Sequence, residues 1–116
     1  MNEIVRIDRN HRRARASAYR NIVFLAGQVA DDKTAGIEEQ TRQALAKVDA
    51  LLAEAGTDKS NVLSVTIWLS SMEDYDGFNT VWDAWVVPGA EPSRACARVE
   101  LADPAYRVEL IVTATR

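Results

Sequence analysis

The sequence is poor in cysteine, histidine, glycine and long apolar runs, and each scarcity excludes a class of function. A single cysteine cannot form an internal disulfide, which predicts a reducing, cytoplasmic setting. One histidine and one cysteine are too few for a usual zinc site, and five scattered glycines form no phosphate loop, so we expect neither a metal nor another cofactor. No stretch reaches the ~20 apolar residues of a membrane helix and the N-terminus is too polar for a signal peptide, so no membrane contact is expected.

Charge is distributed unevenly along the chain. At 116 residues, 47% of them hydrophobic, residues 1–116 are predicted to form a single domain, with a net charge of -3. Six arginines fall within the first twenty residues: Arg6, Arg9, Arg12, Arg13, Arg15 and Arg20. Glu3 and Asp8 lie in the same segment, so its net charge is +4 and the net charge of the rest of the chain is -7. Arginines on an edge strand and turn are usually solvated or paired with surface acids, so we do not expect a nucleic-acid partner.

Two segments have the apolar spacing of helices. The first covers 37–55, where apolar residues recur every three or four positions and Gly56 follows as a stop signal. The second begins after Ser70 or Ser71 as its N-cap and ends at Pro88-Gly89. One face of this second helix carries an aromatic stripe: Tyr75, Phe78, Trp82 and Trp85. Such a stripe is far more typical of packing on a sheet than of a cofactor site.

The other segments alternate as strands do. They are a short run at 3–7, a hairpin around Arg20-Asn21, an apolar run to Gln28, and strands at 61–69, 93–101 and 106–114. The turn is predicted because Asn21 tolerates the left-handed conformation of a tight hairpin. In 61–69 one row is predicted to face the core: Leu63, Val65, Ile67 and Leu69. Trp68 falls on the opposite side and indicates that this side is also covered.

This order of elements predicts an α+β fold in which two helices pack on one face of a sheet. The other face then needs a cover of its own. For so short a chain the simplest cover is the same face of another copy, so we expect a closed homo-oligomer.

Three side chains are candidates for chemistry, and we expect Arg94, Cys96 and Glu109 to lie together on the uncovered sheet face. A guanidinium offers a planar fork of donors that matches a carboxylate, so Arg94 either binds an anionic ligand or pairs internally with Glu109. Cys96 lacks a nearby base and is more typical of a small buried hydrophobe than of a nucleophile. Glu109 either holds and activates a water or serves in that internal ion pair.

The whole chain resembles the RidA (YjgF) family. Its most specific motif is arginine, one residue, cysteine and then a VEI-like strand, present here as Arg94-Ala95-Cys96 and Val108-Glu109-Leu110. The segments LAGQVA, VDALLAEAG and FNTVWDAW add support. Within the family the chain is most similar to the YoaB-like branch, which shares VRID and WDAWVV.

The resemblance implies a chorismate-mutase-like fold and a homotrimer whose sheets close a central barrel, with sites in the clefts between subunits. It implies that Arg94 grips a substrate carboxylate and that Glu109 positions water. The implied substrate-binding residues are Gly27, Phe78, Asn79, Arg94, Ala95 and Cys96, with Phe78 and Asn79 offered by the adjacent subunit. Two family features are missing, namely the tyrosine of an N-terminal GPY segment and a strand-end serine, where Ala26 stands.

The activity implied is that of an imine deaminase, a hydrolase that converts reactive 2-imino or enamine acids into 2-keto acids and ammonia without a cofactor. An alternative is a non-catalytic protein that binds small carboxylates such as keto acids at the same clefts. RNA cleavage or inhibition of translation, which the family resemblance also allows, ranks last because no paired histidines or metal ligands are present.

Overall fold

The computed structural model describes residues 3–116 as one mixed sheet covered by two helices. The strands are β1 (Ile4–Arg9), β2 (Ala14–Tyr19), β3 (Ile22–Leu25), β4 (Val62–Leu69), β5 (Ser93–Arg98) and β6 (Val108–Thr115). The helices are α1 (Ile37–Glu54) and α2 (Tyr75–Trp85), and short 3-10 turns occupy Lys59–Asn61 and Met72–Asp74. The α+β prediction is confirmed.

The sheet has the order β1-β2-β3-β6-β4-β5, so β1 and β5 are its edges. All neighbouring pairs are antiparallel except β4 and β5, which run parallel because α2 forms the crossover between them. The last strand, β6, enters the middle of the sheet between β3 and β4. This crossover places α2 beside β5 at one edge of the sheet.

Both helices form close to where their sequence signals predict. The first ends at Glu54, one residue before the predicted end, and Gly56 follows with a φ of 83°, the left-handed stop that glycine favours. Before α2, the side chain of Ser71 accepts a hydrogen bond from the Glu73 amide at 3.2 Å, so Ser71 caps the short turn Met72–Asp74 that leads into the helix. The helix α2 itself begins at Tyr75, after Asp74, without a side-chain cap, so the predicted helix cap lies one turn too early. No helix within residues 3–116 has both the length and the apolar character needed to cross a membrane.

The core lies between the helices and one face of the sheet. Its members from the sheet alternate along the strands, and its members from the helices include Leu45, Val48, Leu52, Phe78 and Trp82. The opposite face, called the open face here, is not covered by either helix. Large apolar side chains remain exposed there, with Phe24 at 50% and Ile4 at 51% of their full accessibility.

Three local predictions about strands and turns need correction. Leu63 is exposed, not buried, because a register shift between Val62 and Ser64 breaks the alternation of β4. The predicted hairpin turn is present, but Arg20 and not Asn21 has the positive φ, at 55°. The apolar run after the turn stops as a strand at Leu25, and Gln28 then rejoins the sheet through a single bridge to Leu110.

A buried glutamine fixes the chain that leads into β6. Gln40 on α1 is fully buried, and its amide nitrogen donates to the carbonyls of Ala35 and Ala105, each at 3.0 Å. Its carbonyl oxygen accepts from the Arg107 amide at 2.9 Å. Because β6 begins at Val108, this one side chain sets where the strand starts.

We expect Gln40→Leu to lower the free energy of unfolding by about 2 kcal/mol or more, since it leaves buried carbonyls and an amide without partners. The matched control is Gln43→Leu on the same helix, where the lost bonds are at an exposed site and the cost should stay below about 1 kcal/mol. Urea unfolding of both variants measures the difference. Equal costs for the two would contradict the role given to Gln40.

Candidate functional site

The first cluster of candidate residues forms where the edge strand β5 meets α2. The Cζ of Arg94 lies 5.3 Å from the ring centroid of Trp82 and 5.8 Å from that of Phe78. Its Nη2 donates to the Tyr75 hydroxyl at 3.3 Å. The other terminal nitrogen, Nη1, is buried and has no hydrogen-bond partner among residues 3–116.

The environment of Arg94 supplies no negative charge to balance the guanidinium. Aromatic faces attract a cation and the Tyr75 oxygen accepts one hydrogen bond, so both offset part of the cost of removing the guanidinium from water. Neither supplies a negative charge, and a buried donor without a partner costs about 1–3 kcal/mol. No carboxylate lies within ion-pair distance of Arg94 in the described chain. The free Nη1 donor is chemically suited to bind a small anion.

The predicted grouping of Arg94, Cys96 and Glu109 on one sheet face is wrong. In the parallel pairing Arg94 lies beside Val65 and Cys96 beside Ile67, on the face covered by the helices. Glu109 lies beside Trp68, on the open face. An internal pair between Arg94 and Glu109 is therefore also excluded within one chain. The reason is that α2 lays its aromatic stripe over the arginine side of β5, while the alanine side faces outward.

Cys96 is a poor nucleophile at this position. The thiol is half-buried against the core, and burial raises its pKa despite an opposing effect of the Arg94 charge. A raised pKa keeps the thiol neutral near pH 7. Cys96 can therefore form part of the wall beside Arg94 without taking part in covalent chemistry.

The second cluster lies on the open face, where Glu109 covers Gly27. A Cβ built on Gly27 would overlap the Glu109 carboxyl group and reach its Cδ at 2.9 Å, so glycine leaves room for the carboxylate in its present orientation. Burial raises the pKa of Glu109. Next to Gly27, the Gln28 backbone bonds to that of Leu110 in both directions at 2.9 and 3.0 Å, which fixes the loop on β6.

Other predicted residues divide between these clusters. Phe78 lies beneath Arg94 of its own chain and Asn79 follows it on α2, half-buried, because α2 packs on the β4–β5 edge of the same subunit. The assignment of Phe78 to a subunit different from that of Arg94 is thus corrected. Ala95 points to the open side of β5 and is exposed. Within residues 3–116 no group of three His, Cys, Asp or Glu side chains is arranged to hold a metal ion.

Sequence reasoning missed two members of the Arg94 cluster. Tyr75 and Trp82 were treated only as core residues of the aromatic stripe. One signal could have identified them: the strand that carries Arg94 follows the aromatic stripe directly in the chain. Arg15 was also missed as a site neighbour: its Nη2 donates to the Gln28 side chain at 3.2 Å, in a cavity of about 180 Å³ that Gly27 also lines.

Comparison with known proteins decides the family. The family model described as "Endoribonuclease L-PSP" matches residues 4–116. A RutC family protein of Haemophilus ducreyi is 40% identical over 111 residues, covering 96% of this chain and 95% of its own. The RutC family protein YoaB of Escherichia coli K12 is 38% identical, with 96% of each chain covered. The chain belongs to the RutC/YjgF family.

Solved structures of RutC/YjgF proteins share the fold closely. A crystal structure of an uncharacterized protein from Pseudomonas aeruginosa superposes with a TM-score of 0.96 at 48% identity, covering 98% of this chain and 99% of that one. A YjgF family member from Neisseria meningitidis also gives 0.96, at 40% identity and with 99% and 96% covered. The RidA (YjgF) resemblance of the sequence, with its YoaB-like features, is confirmed.

The raised pKa of Glu109 predicts how stability depends on pH in this RutC/YjgF protein. Because the folded pKa lies above the ordinary 4.5, the native state is disfavoured by ionisation as pH rises through the folded pKa. We expect Glu109→Gln to be more stable than wild type at pH 7 and to lose this advantage as pH falls below 4.5. Urea unfolding at both pH values measures it, with the exposed Glu54→Gln as control for charge removal. A difference in unfolding free energy between Glu109→Gln and wild type that does not change with pH would contradict the effect of burial on Glu109.

Proposed function

We propose that the protein hydrolyses small 2-imino acids, such as 2-iminopropanoate and 2-iminobutanoate, to 2-keto acids and ammonia in the cytoplasm. Membership of the RutC/YjgF family supports a role in processing small molecules. The single observation that carries the proposal is the buried Nη1 of Arg94, which has no partner in the described chain. A carboxylate of the substrate would complete its hydrogen bonding.

The substrate carboxylate fits the Arg94 cluster by charge and by geometry. A carboxylate can accept two parallel N–H bonds from one guanidinium, and such bonds are stronger than those between neutral groups. Because the Arg94 charge already rests on the Phe78 and Trp82 rings, it need not move far to receive the anion. The neutral Cys96 beside it adds an uncharged wall.

Glu109 supplies the acid–base step in this proposal. Its carboxylate takes a proton from water while the water oxygen bonds to the imine carbon, the C=N electron pair moves to nitrogen, and the nitrogen takes up a proton from solvent. The carboxyl group then gives its proton to the amine, the C–N bond breaks, and ammonia leaves while the hydroxyl group loses its proton to solvent and becomes the ketone. A pKa raised by burial brings a glutamate closer to the range in which it can both accept and donate protons.

The two clusters must come from different copies of the chain if one small substrate is to meet both. Arg94 and Glu109 project from opposite sheet faces, so no molecule of three or four carbons can touch both within one subunit. We infer a homotrimer whose open faces close a central barrel, with Arg94 of one subunit reaching Glu109 of the next. The exposed Ile4, Tyr19 and Phe24 of the open face are consistent with such burial.

A second candidate function is non-catalytic binding of keto acids or similar carboxylates. It is favoured by Ala26, which precedes Gly27 and offers no hydroxyl to a reacting group. The binding function needs only the Arg94 cluster, whereas hydrolysis needs Glu109 as well. RNA cleavage, suggested by the description of the matching family model, ranks below both because the one histidine, His11, lies apart on the β1–β2 hairpin.

Arg94→Ala is expected to reduce kcat/KM for 2-iminopropanoate by about tenfold to a hundredfold, the worth of one charge-assisted bond. The imine is generated in the cuvette from alanine by an amino-acid oxidase, and its loss is followed against a blank. Arg42→Ala is the control, since Arg42 is exposed on α1 and pairs only with Glu38 and Glu39. If wild type and blank consume imine equally while pyruvate still binds in calorimetry, the protein is a binder.

Mixing two impaired variants tests whether the site is shared. Co-expressed Arg94→Ala and Glu109→Gln subunits are expected to recover about a quarter of wild-type activity, the fraction of interfaces that unite both intact residues in a random equal mixture. Light scattering should give three times the chain mass of 12.8 kDa. No recovery in mixed trimers would show that Arg94 and Glu109 do not meet across subunits.

A further inference from the structure

A second arginine lies on the same side of β5 as Arg94. In the parallel pairing with β4, Arg98 lies beside Leu69, so Arg94, Cys96 and Arg98 form one row on the face toward the helices. Arg98 is exposed at the end of this strand. It makes no ion pair with any carboxylate of residues 3–116.

Acidic residues on the adjoining segments do not neutralise Arg98. Asp74, just before α2, pairs with Arg107 at 3.3 Å, and Asp103 pairs with Lys33 at 2.7 Å. Glu100 and Asp103 both line the same open cavity of about 690 Å³ as Arg98, and neither forms an ion pair with it. The charge of Arg98 is therefore available to a ligand.

The direction of Arg94 brings its charge toward Arg98. The chain leaves β4 at Leu69 and enters α2 through the turn Met72–Asp74. Tyr75, the first residue of α2, therefore lies at the Arg98 end of the β4–β5 pair. Arg94 reaches that way, because its Nη2 contacts the Tyr75 hydroxyl. The two Cα atoms are roughly 13 Å apart, as four strand residues require, and each arginine side chain can span about half of that. The half-buried thiol of Cys96 lies between them.

We propose that Arg98 is a specificity-determining residue that selects substrates with a second carboxylate, namely 2-imino dicarboxylic acids of about five carbons. This inference rests on the proposed binding of a carboxylate at Arg94. One carboxylate occupies Arg94, the methylene groups cross the uncharged surface at Cys96, and the side-chain carboxylate meets Arg98. Arg98 contributes only to the acidic side chain and not to the reacting carbon.

The test compares two substrates in wild type, Arg98→Gln and Arg98→Lys. An amino-acid oxidase generates the imines of alanine and of glutamate in the assay, and kcat/KM is measured for each. Wild type should prefer the glutamate-derived imine. Arg98→Gln should lower kcat/KM for that imine by about tenfold and leave the alanine-derived imine unchanged, while Arg98→Lys keeps part of the preference. Arg42→Gln, which removes an exposed charge on α1, should change neither rate.

Two results would overturn the inference: wild type without a preference for the acidic imine, or an equal effect of Arg98→Gln on both substrates. Binding by calorimetry separates this failure from failure of the deaminase proposal. With pyruvate and 2-oxoglutarate as probes, Arg98→Gln should weaken only the dicarboxylate, even in a protein without catalysis. Arg94→Ala should weaken both probes. Because Arg98 is exposed, the variants should keep the wild-type melting temperature, which confirms that folding is intact.

Discussion

The partly buried guanidinium of Arg94, whose Nη1 has no partner in the described chain, is the group on which the arrangement of this candidate site depends. A charge taken out of water must find compensation, and here two aromatic faces and one hydroxyl supply only part of it. The parallel β4–β5 crossover exists at the sheet edge, and α2 within it delivers the aromatic residues to the arginine. One donor of this guanidinium is left without a partner in the described chain, and in the proposed function a substrate carboxylate would fill that place.

The sheet separates the Arg94 and Glu109 side chains because alternate residues of a strand point to opposite faces. Arg94 shares its face with the core, and Glu109 shares the other with Trp68. A carboxylate on an open face would normally be ionised and hydrated, yet burial against Gly27 raises its pKa before any second subunit is present. Closer contact with another copy would remove more water and strengthen this effect. In the proposed trimer, assembly and chemistry would therefore be linked through the Glu109 side chain.

The sequence predicted well those features that depend on local pattern. The α1 boundary at Ile37 and the turn at Arg20-Asn21 both follow from residues within a few positions of one another. Alternation also placed Arg94 and Cys96 correctly on the same side of β5, since it shows which side chains of one strand share a face.

The alternation of a strand does not show which of its two sides faces the helices. The predicted sheet face of Arg94 and Cys96 was wrong for this reason. The packing of α2 decides which side faces the helices, through contacts between residues far apart in sequence, such as Arg94 with Tyr75. The position of Leu63 was wrong for a related reason, because a register shift is a property of the strand pair and not of one strand. Gln40 was passed over because a glutamine in an amphipathic helix gives no sign that its partners lie in a distant loop.

The location of the site at a sheet edge has a physical consequence for association. An edge strand presents unpaired backbone groups and invites pairing with other chains, and inward-pointing charges are one way to discourage this. Arg94 and Arg98 place two charges on one side of β5, while its other side presents only the small residues Ser93, Ala95 and Ala97. Indiscriminate strand pairing is thereby opposed by charge, whereas the small alanine side chains allow another backbone to approach closely. The same row of residues that is proposed to bind an anion thus restricts which surfaces can dock beside it.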